Sequence, residues 1–318
     1  MVQVDLITGF LGAGKTTFLR KYVHWLNARG QRVCILENDF GAVNVDVMLL
    51  QDLLGDNCDI ETISGGCDCD THQRRMRTKL ISLAMQGFDR VLVEPSGIFD
   101  VDEFYDVLRD EPLDRWYTLG NVIAIVDALL ETQLSPQGEY LLASEVASAG
   151  MVLMSRCQLA APGQAEATLA HLNRALEACH CARRFAADTD ALCKPWDALT
   201  DADMQRLDSC GHCQASYVKL HFDEHKAFTS LYFMELHLTL PQLQDAARAL
   251  FADPACGHIL RIKGFLQTVD GWCELNATRD TMHVEAIPDG QEVLIIIGEE
   301  LDRSAIEAHI GQKTADQE

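Results

Sequence analysis

Residues 9–16, Gly-Phe-Leu-Gly-Ala-Gly-Lys-Thr, fit the spacing G-x-x-x-x-G-K-[ST]. Each residue type in that pattern has a physical task. Glycines let backbone N–H groups converge on phosphate oxygens without Cβ clashes. A helix starting just after them turns its positive end toward the same anions. Lys15 would place a compact charge on the β- and γ-phosphates, and Thr16 would offer its hydroxyl to Mg²⁺. The candidate nucleotide ligands are therefore Gly12, Ala13, Gly14, Lys15, Thr16 and Thr17. A chance glycine-rich turn is the competing explanation. The position between an apolar strand and a helical stretch weighs against it.

A phosphate loop also needs carboxylates near its metal. Glu94 ends the apolar run "RVLVEPSG" and would project at the carboxyl edge of a sheet, so Lys15 and Glu94 are the candidate catalytic pair. Gly97 follows where its backbone can approach a γ-phosphate. The stretch "ENDFGAVNVD", residues 37–46, leaves another strand at the same edge. Asp39 or Asp46 would reach Mg²⁺ directly or through water, which gives Thr16, Asp46 and Glu94 as the magnesium set. The glycine and the lack of a regular period suit a switch; a static connection is the alternative.

Cys67-Asp-Cys69-Asp70 carries two thiols one residue apart. A disulfide across one residue would close a very tight ring. A metal is the better functional explanation, against two inert thiols in a turn. Zinc takes four ligands and favours thiolates. Asp70 would supply a carboxylate oxygen, Cys58 a third sulfur by folding back, and His72 is within sequence reach. Farther along, Cys179-His-Cys181 and Cys210-Gly-His-Cys213 put four sulfurs at spacings that suit a second, structural zinc. A loop of reduced cysteines is the plain alternative.

The elements that must hold these groups can be traced along the chain. Val2–Thr8, Arg32–Glu37, Ile60–Ile63, Arg90–Glu94, Asn121–Asp127 and Met151–Met154 are apolar runs. Helical stretches at Lys15–Arg29, His72–Met85 and 163–178 lie among them. That alternation predicts a mostly parallel sheet covered on both faces. The pattern degrades between 181 and 215, expected as a junction after a nucleotide-binding domain over 1–180. Strands at 216–222, 229–238, 258–268, 271–277 and 291–297 with helices at 241–251 and 302–310 predict a small α+β domain over 216–318.

The chain has 318 residues, 48% of them hydrophobic, enough for about two domains. Its formal net charge of −22 repels phosphate backbones and weighs against nucleic acid or an anionic membrane as partner. No apolar run reaches the roughly 20 residues of a membrane helix. The start "MVQVDLITGF" carries no secretory pattern. With twelve cysteines better read as thiols, ligands or redox centres than as a disulfide framework, a cytoplasmic protein is expected.

Taken together, the motifs resemble the CobW-like family of P-loop GTPases, relatives of the nickel chaperone GTPases. Gly9–Thr17, Asn38-Asp39-Phe40-Gly41, Gly66–Asp70 and Glu94-Pro95-Ser96-Gly97 follow the family order. "HILRIKGFL" (258–266) and "VLIIIGEELD" (293–302) are similar to its C-terminal signatures. The resemblance implies an α/β P-loop NTPase fold and a cobW-type C-terminal domain. It implies binding and slow hydrolysis of GTP with Mg²⁺, Zn²⁺ or another transition metal at the cysteine motif, and delivery to a client metalloprotein; a homo-oligomer is left open. Two departures stand out. Asp70 replaces the family's third cysteine. Met154-Ser155-Arg156-Cys157 stands where the guanine-reading N-K-x-D would be, which leaves ATP as an alternative base. A non-catalytic nucleotide-binding regulator and an ATP-driven activator of a corrinoid or other metalloenzyme are the rival functions.

Overall fold

The computed structural model describes residues 1–39, 49–64, 69–97, 101–220, 227–234 and 236–311. The chain divides into two compact units, Met1–His221 and Phe222–Glu318.

The first unit is built on seven strands: β1 (Val2–Thr8), β2 (Val33–Asp39), β3 (Cys58–Ser64), β4 (Arg90–Pro95), β5 (Tyr117–Asp127), β6 (Met151–Ser155) and β7 (Ala191–Cys193). They pair in the order β3-β2-β4-β1-β5-β6-β7, every pair parallel. The helices include α1 (Lys15–Asn27), α2 (Cys69–Ala84), α3 (Val101–Arg109), α4 (Pro136–Ala147), α5 (Gln164–Ala178) and α6 (Asp201–Asp208). Parallel strands need crossovers, so both faces are covered and the strands read as continuous apolar runs. Leu6, Ile7, Val91, Leu92 and Val93 are accordingly fully buried. Helix α1 seals one face with Phe18, Leu19, Tyr22, Val23 and Leu26, a stripe at helical spacing. Strand β1 lies between β4 and β5. Strands β2–β4 are laid down on one side of it before β5–β7 on the other, so its carboxyl end opens at a topological switch point.

The stretch 181–215, expected as a junction, instead packs into this unit. Strand β7 pairs with β6 at the sheet edge. Helix α6 docks through Asp208 onto a buried polar cluster, where Arg90 binds Asp5 at 2.9 Å, Tyr22 at 2.7 Å and Asp208. Asn121 closes the cluster, its backbone N–H donating to Asp5 and its side chain to the Asp208 carbonyl, both at 2.8 Å. A three-residue strand is too short to leave a period in the sequence, and α6 adds only Met204 and Leu207 to the apolar core beside its polar anchor.

Helix α6 starts with a capping box. Thr200 accepts from the Asp203 amide, and the Asp203 carboxylate accepts from the Thr200 amide. Both Asp203 oxygens also take hydrogen bonds from Lys194 at 2.8 Å. Lys194 first, then Thr200, draw the Asp203 carboxyl down to about 2. Unfolded, the group titrates near 4, so between the two values the unfolded chain holds the extra proton. The resulting stability is complete above about pH 4 and is lost as pH falls toward 2. The midpoint of urea unfolding should therefore drop more steeply below about pH 4 in the wild type than in Asp203→Asn. Equal slopes would show that this carboxyl contributes nothing to acid sensitivity.

The second unit is a five-stranded antiparallel sheet in the order β11-β10-β9-β12-β8. Its strands are β8 (Thr229–Met234), β9 (His258–Thr268), β10 (Gly271–Ala277), β11 (Met282–Ile287) and β12 (Val293–Glu299). Two helices, α7 (Leu240–Ala252) and α8 (Arg303–Ile310), pack on one face through Leu243, Ala247, Leu250, Ile306 and Ile310. Gly264 permits the close approach, since a Cβ there would lie 2.5 Å from Leu243 Cδ2. The strand expected at 216–222 is absent over 216–220, where Val218 donates one hydrogen bond to the Cys179 carbonyl; the remainder of that segment lies outside the described residues. Strand β11 escaped the sequence pattern because it is exposed along most of its length.

Candidate functional site

The phosphate loop joins the buried end of β1 to α1. Gly14, at φ +98°, occupies the N-cap of α1 with no side chain capping the helix and no acidic residue in its first turn. The orphan N–H groups of that turn are thus turned outward at the positive end of the helix dipole, the arrangement that binds anions. The Ala13 amide is engaged locally, donating to the Phe10 carbonyl at 3.1 Å. Lys15 is largely buried, and its amine donates to the Gly9 carbonyl at 2.8 Å. The amine is therefore folded over the loop.

Strand β4 brings Glu94 to the same place. The Thr16 hydroxyl donates to Glu94 Oε1 at 2.8 Å. A hydroxyl and a carboxylate in contact beside a phosphate loop suit Mg²⁺, a hard ion with oxygen ligands. Gly97 completes the cradle. A Cβ there would stand 2.8 Å from the Leu11 nitrogen and 3.0 Å from Lys15 Nζ, so any side chain would fill the space in front of the amine. Lys15, Thr16, Glu94 and Gly97 are thus brought together as their spacing predicts.

Further groups line this end of the sheet. Thr8 Oγ1, both amide atoms of Asn38 and Ser155 Oγ are buried with no hydrogen-bond partner among the described residues. They stand at or beside the carboxyl ends of β1, β2 and β6. Unsatisfied polar atoms are rare in native interiors and here gather where a parallel sheet places its ligand. Glu37 is buried at the end of β2, in register with Glu94. Sequence analysis missed Glu37, and it also missed Glu145 on α4. Glu145 is almost wholly buried and accepts the Gly9 N–H at 2.8 Å, fixing the first residue of the loop. No local spacing could reveal a contact across 136 positions. Glu145→Ala would strand the Gly9 amide and should cost about 1–3 kcal/mol of stability, read from urea unfolding. An unchanged midpoint would mean the bond does not hold the loop.

At the position of the base-reading motif, Met154 is core and Arg156, at φ +53°, forms an ion pair with Asp127. The Cys157 and Cys193 sulfurs approach to 2.8 Å. Burial, then Cys193, pushes the Cys157 thiol up to about 12. Trp196 spans the gap between this corner and the phosphate loop. Its indole N–H donates to the Met154 carbonyl at 3.0 Å, and a Cβ on Gly14 would stand 3.0 Å from its ring.

The metal expectations divide. Cys67 and Asp46 lie outside the described residues, as do the side chains of Asp39, Cys69 and Asp70. Cys58 lies within the described residues. It begins β3, buried against the core, while the cysteine segment leaves the other end, about 20 Å along the strand. Its thiol is pushed up to about 11 by burial and then Asp59. His72 is fully buried in α2. The second zinc site is not assembled either. Among the described residues, Cys179, Cys181, Cys210 and Cys213 do not form a converging ligand set. Cys179 ends α5, whereas Cys213 hydrogen-bonds to the Ser148 carbonyl and Cys210 packs near Val122. Burial first, then Asp5, pushes the Cys210 thiol up to about 12.

Comparison with known proteins gives the same two-part division. Residues 3–185 match the family model for the CobW/HypB/UreG nucleotide-binding domain, and residues 235–313 match that for the cobalamin synthesis protein cobW C-terminal domain. The zinc chaperone YjiA of Escherichia coli (strain K12) is 34% identical over 175 residues, a match spanning about half of each protein, 52% in both cases. The zinc chaperone YeiR of the same organism is 25% identical over 338 aligned positions, covering 97% of both chains. Zinc-regulated GTPase metalloprotein activator 1 of Schizosaccharomyces pombe is 30% identical over 132 residues, 40% of this chain and 32% of that one.

Proposed function

The chain belongs to the CobW/HypB/UreG nucleotide-binding family, and from that premise we propose that it is a slow, Mg²⁺-dependent GTPase that couples its nucleotide state to the binding and release of zinc for a client metalloprotein in the cytoplasm. The observation that carries the nucleotide half is the convergence of Lys15, Thr16, Glu94 and Gly97 at the carboxyl end of β1 and β4. Lys15 meets the β- and γ-phosphates, and the Gly97 backbone lies against the γ-phosphate position. Thr16 and Glu94 would hold Mg²⁺, which when bound neutralises charge on the phosphates.

The zinc half is supported by the zinc-chaperone names of YjiA and YeiR and by where β3 ends, just before the cysteine segment. That segment follows β3 at the register of Asp39 and Ser64, one step beyond Glu37 and Asn38 on the neighbouring strand. Zinc as cargo would be held by Cys67, Cys69 and Asp70, with Glu37 supplying a carboxylate from β2. Both ligands then act on the segments leaving β2 and β3, and linkage makes each alter the affinity for the other. Zinc affinity should therefore differ between the complexes with a non-hydrolysable GTP analogue and with GDP. Identical affinities would sink the coupling.

A second base is favoured by one feature: the corner that should read guanine carries the Arg156–Asp127 pair and two thiols. With no N-K-x-D carboxylate to accept from guanine, ATP should compete with GTP at comparable concentration. Strong preference for GTP would assign base recognition to other residues.

A further inference from the structure

The second unit contains a ligand cluster that the nucleotide-coupled reading does not use. Asp253, Cys256 and His309 each offer one donor atom, and these atoms lie within 4.8 Å of one another. The local sequence explains the convergence. Asp253 caps a 3₁₀ turn, Pro254–Cys256, its carboxylate accepting from the Ala255 amide at 2.9 Å. In that geometry residues three apart eclipse, so Asp253 and Cys256 fall on one side. Pro254 fixes the first position of the turn. Helix α8 supplies His309 from its last turn, and His309 Nε2 meets Asp253 Oδ2 at 2.8 Å.

The three donors are unequal. Asp253 and His309 are partly exposed and share a hydrogen bond, so an ion reaching the cluster from solvent meets them first. The Cys256 thiol is fully buried and has no hydrogen-bond partner among the described residues. Burial first, then Asp253 and Asp302, raises it, so without metal it stays a neutral thiol. The Asp253 carboxyl is held below its ordinary value chiefly by His309.

We infer that Asp253, Cys256 and His309 form a second transition-metal site, in the C-terminal unit, for a divalent ion of the zinc and cobalt class. Sulfur, nitrogen and oxygen are the three zinc donors of proteins, and three protein ligands leave a fourth position for water or an exchanging ligand. In a tetrahedral site the donors stand about 3.5 Å apart, so closing this set requires movements of about 1 Å. Binding breaks the Asp253–His309 hydrogen bond and releases the Cys256 thiol proton to solvent as the thiolate takes the metal. The open fourth position makes this a site for exchange rather than a sealed structural one.

The site rests on its own residues and is independent of the Cys67–Cys69 motif, which allows a clean test. The full-length chain carrying Cys67→Ala and Cys69→Ala, stripped of metal with a chelator, is titrated with Zn²⁺ against a chromophoric competitor and separately with Co²⁺. One equivalent should remain, with a thiolate-to-cobalt charge-transfer band. His309→Gln in that background should weaken this equivalent at least about tenfold. Asp253→Asn, which keeps the cap on Ala255, should weaken it as well. Cys256→Ser should abolish the band; because that residue is buried, its unfolding midpoint is measured alongside. No residual equivalent overturns the site, as does cobalt bound without the thiolate band. Undiminished affinity in His309→Gln overturns it too, since the metal would then lie with other sulfurs. None of these outcomes bears on coupling at the nucleotide site.

Discussion

Lys15→Ala should lower the affinity for nucleoside triphosphates by about one to two orders of magnitude while leaving the fold intact. Among the described residues the amine makes one hydrogen bond, to the Gly9 carbonyl. Alanine is a good helix former at the first position of α1, so little stability is at stake. What is lost is a charge-assisted contact to phosphate, worth about 1.5–3 kcal/mol. Lys15→Arg should recover it only in part, because a planar guanidinium does not reproduce the compact point charge of the ammonium. Equilibrium binding of a fluorescent triphosphate analogue, with thermal unfolding as the control for folding, reads both effects. Undiminished binding in Lys15→Ala would remove the foundation of the nucleotide assignment.

Arg90→Met should have the opposite profile, a large stability loss with no direct effect on phosphate contacts. Arg90 starts β4 and Glu94 lies near its other end, about 13 Å along the strand. The guanidinium is buried and its charge faces Asp5, Tyr22 and Asp208. Burial opposes that charge, but Asp5, Tyr22 and Asp208 together more than offset it and leave the guanidinium more basic than usual. Removing it strands a fully buried Asp5 carboxylate. Loss of one partner of a buried pair costs about 3–5 kcal/mol, a large fraction of the stability of an ordinary domain. Urea unfolding of the first unit measures it. Pairing the change with Asp5→Asn should recover part of the loss, since no buried charge is then left alone. A loss below about 1 kcal/mol would show that water reaches the cluster.

Where the sequence was legible, one physical signal dominated. Fully buried parallel strands must be apolar runs, and β1, β4 and β6 were read to within a residue or two. Glycine, lysine and threonine in the first loop have few alternatives to phosphate binding, so type and spacing singled out Lys15 and Thr16, and the structure sets Glu94 and Gly97 beside them. The failures also share a cause. Cys58 was proposed as a ligand from its sequence distance to Cys67, and the structure sets it at the start of an extended strand whose far end leads toward Cys67. Cys179, Cys181, Cys210 and Cys213 were grouped by spacing, yet they cap one helix and line a different strand. Glu145, Asp208 and, through Gly14, Trp196 act across more than a hundred positions, where no periodicity operates.

Trp196 gives the phosphate loop a built-in optical reporter. Its indole stands against Gly14 and edge-on to Phe18, the ring centroids 6.0 Å apart. An anion arriving at the first turn of α1 changes the field across that ring before it alters any bond in the sheet. Emission from this tryptophan can therefore follow occupancy of the loop in unlabelled protein, and the other three tryptophans of the chain supply a background that Trp196→Phe would isolate.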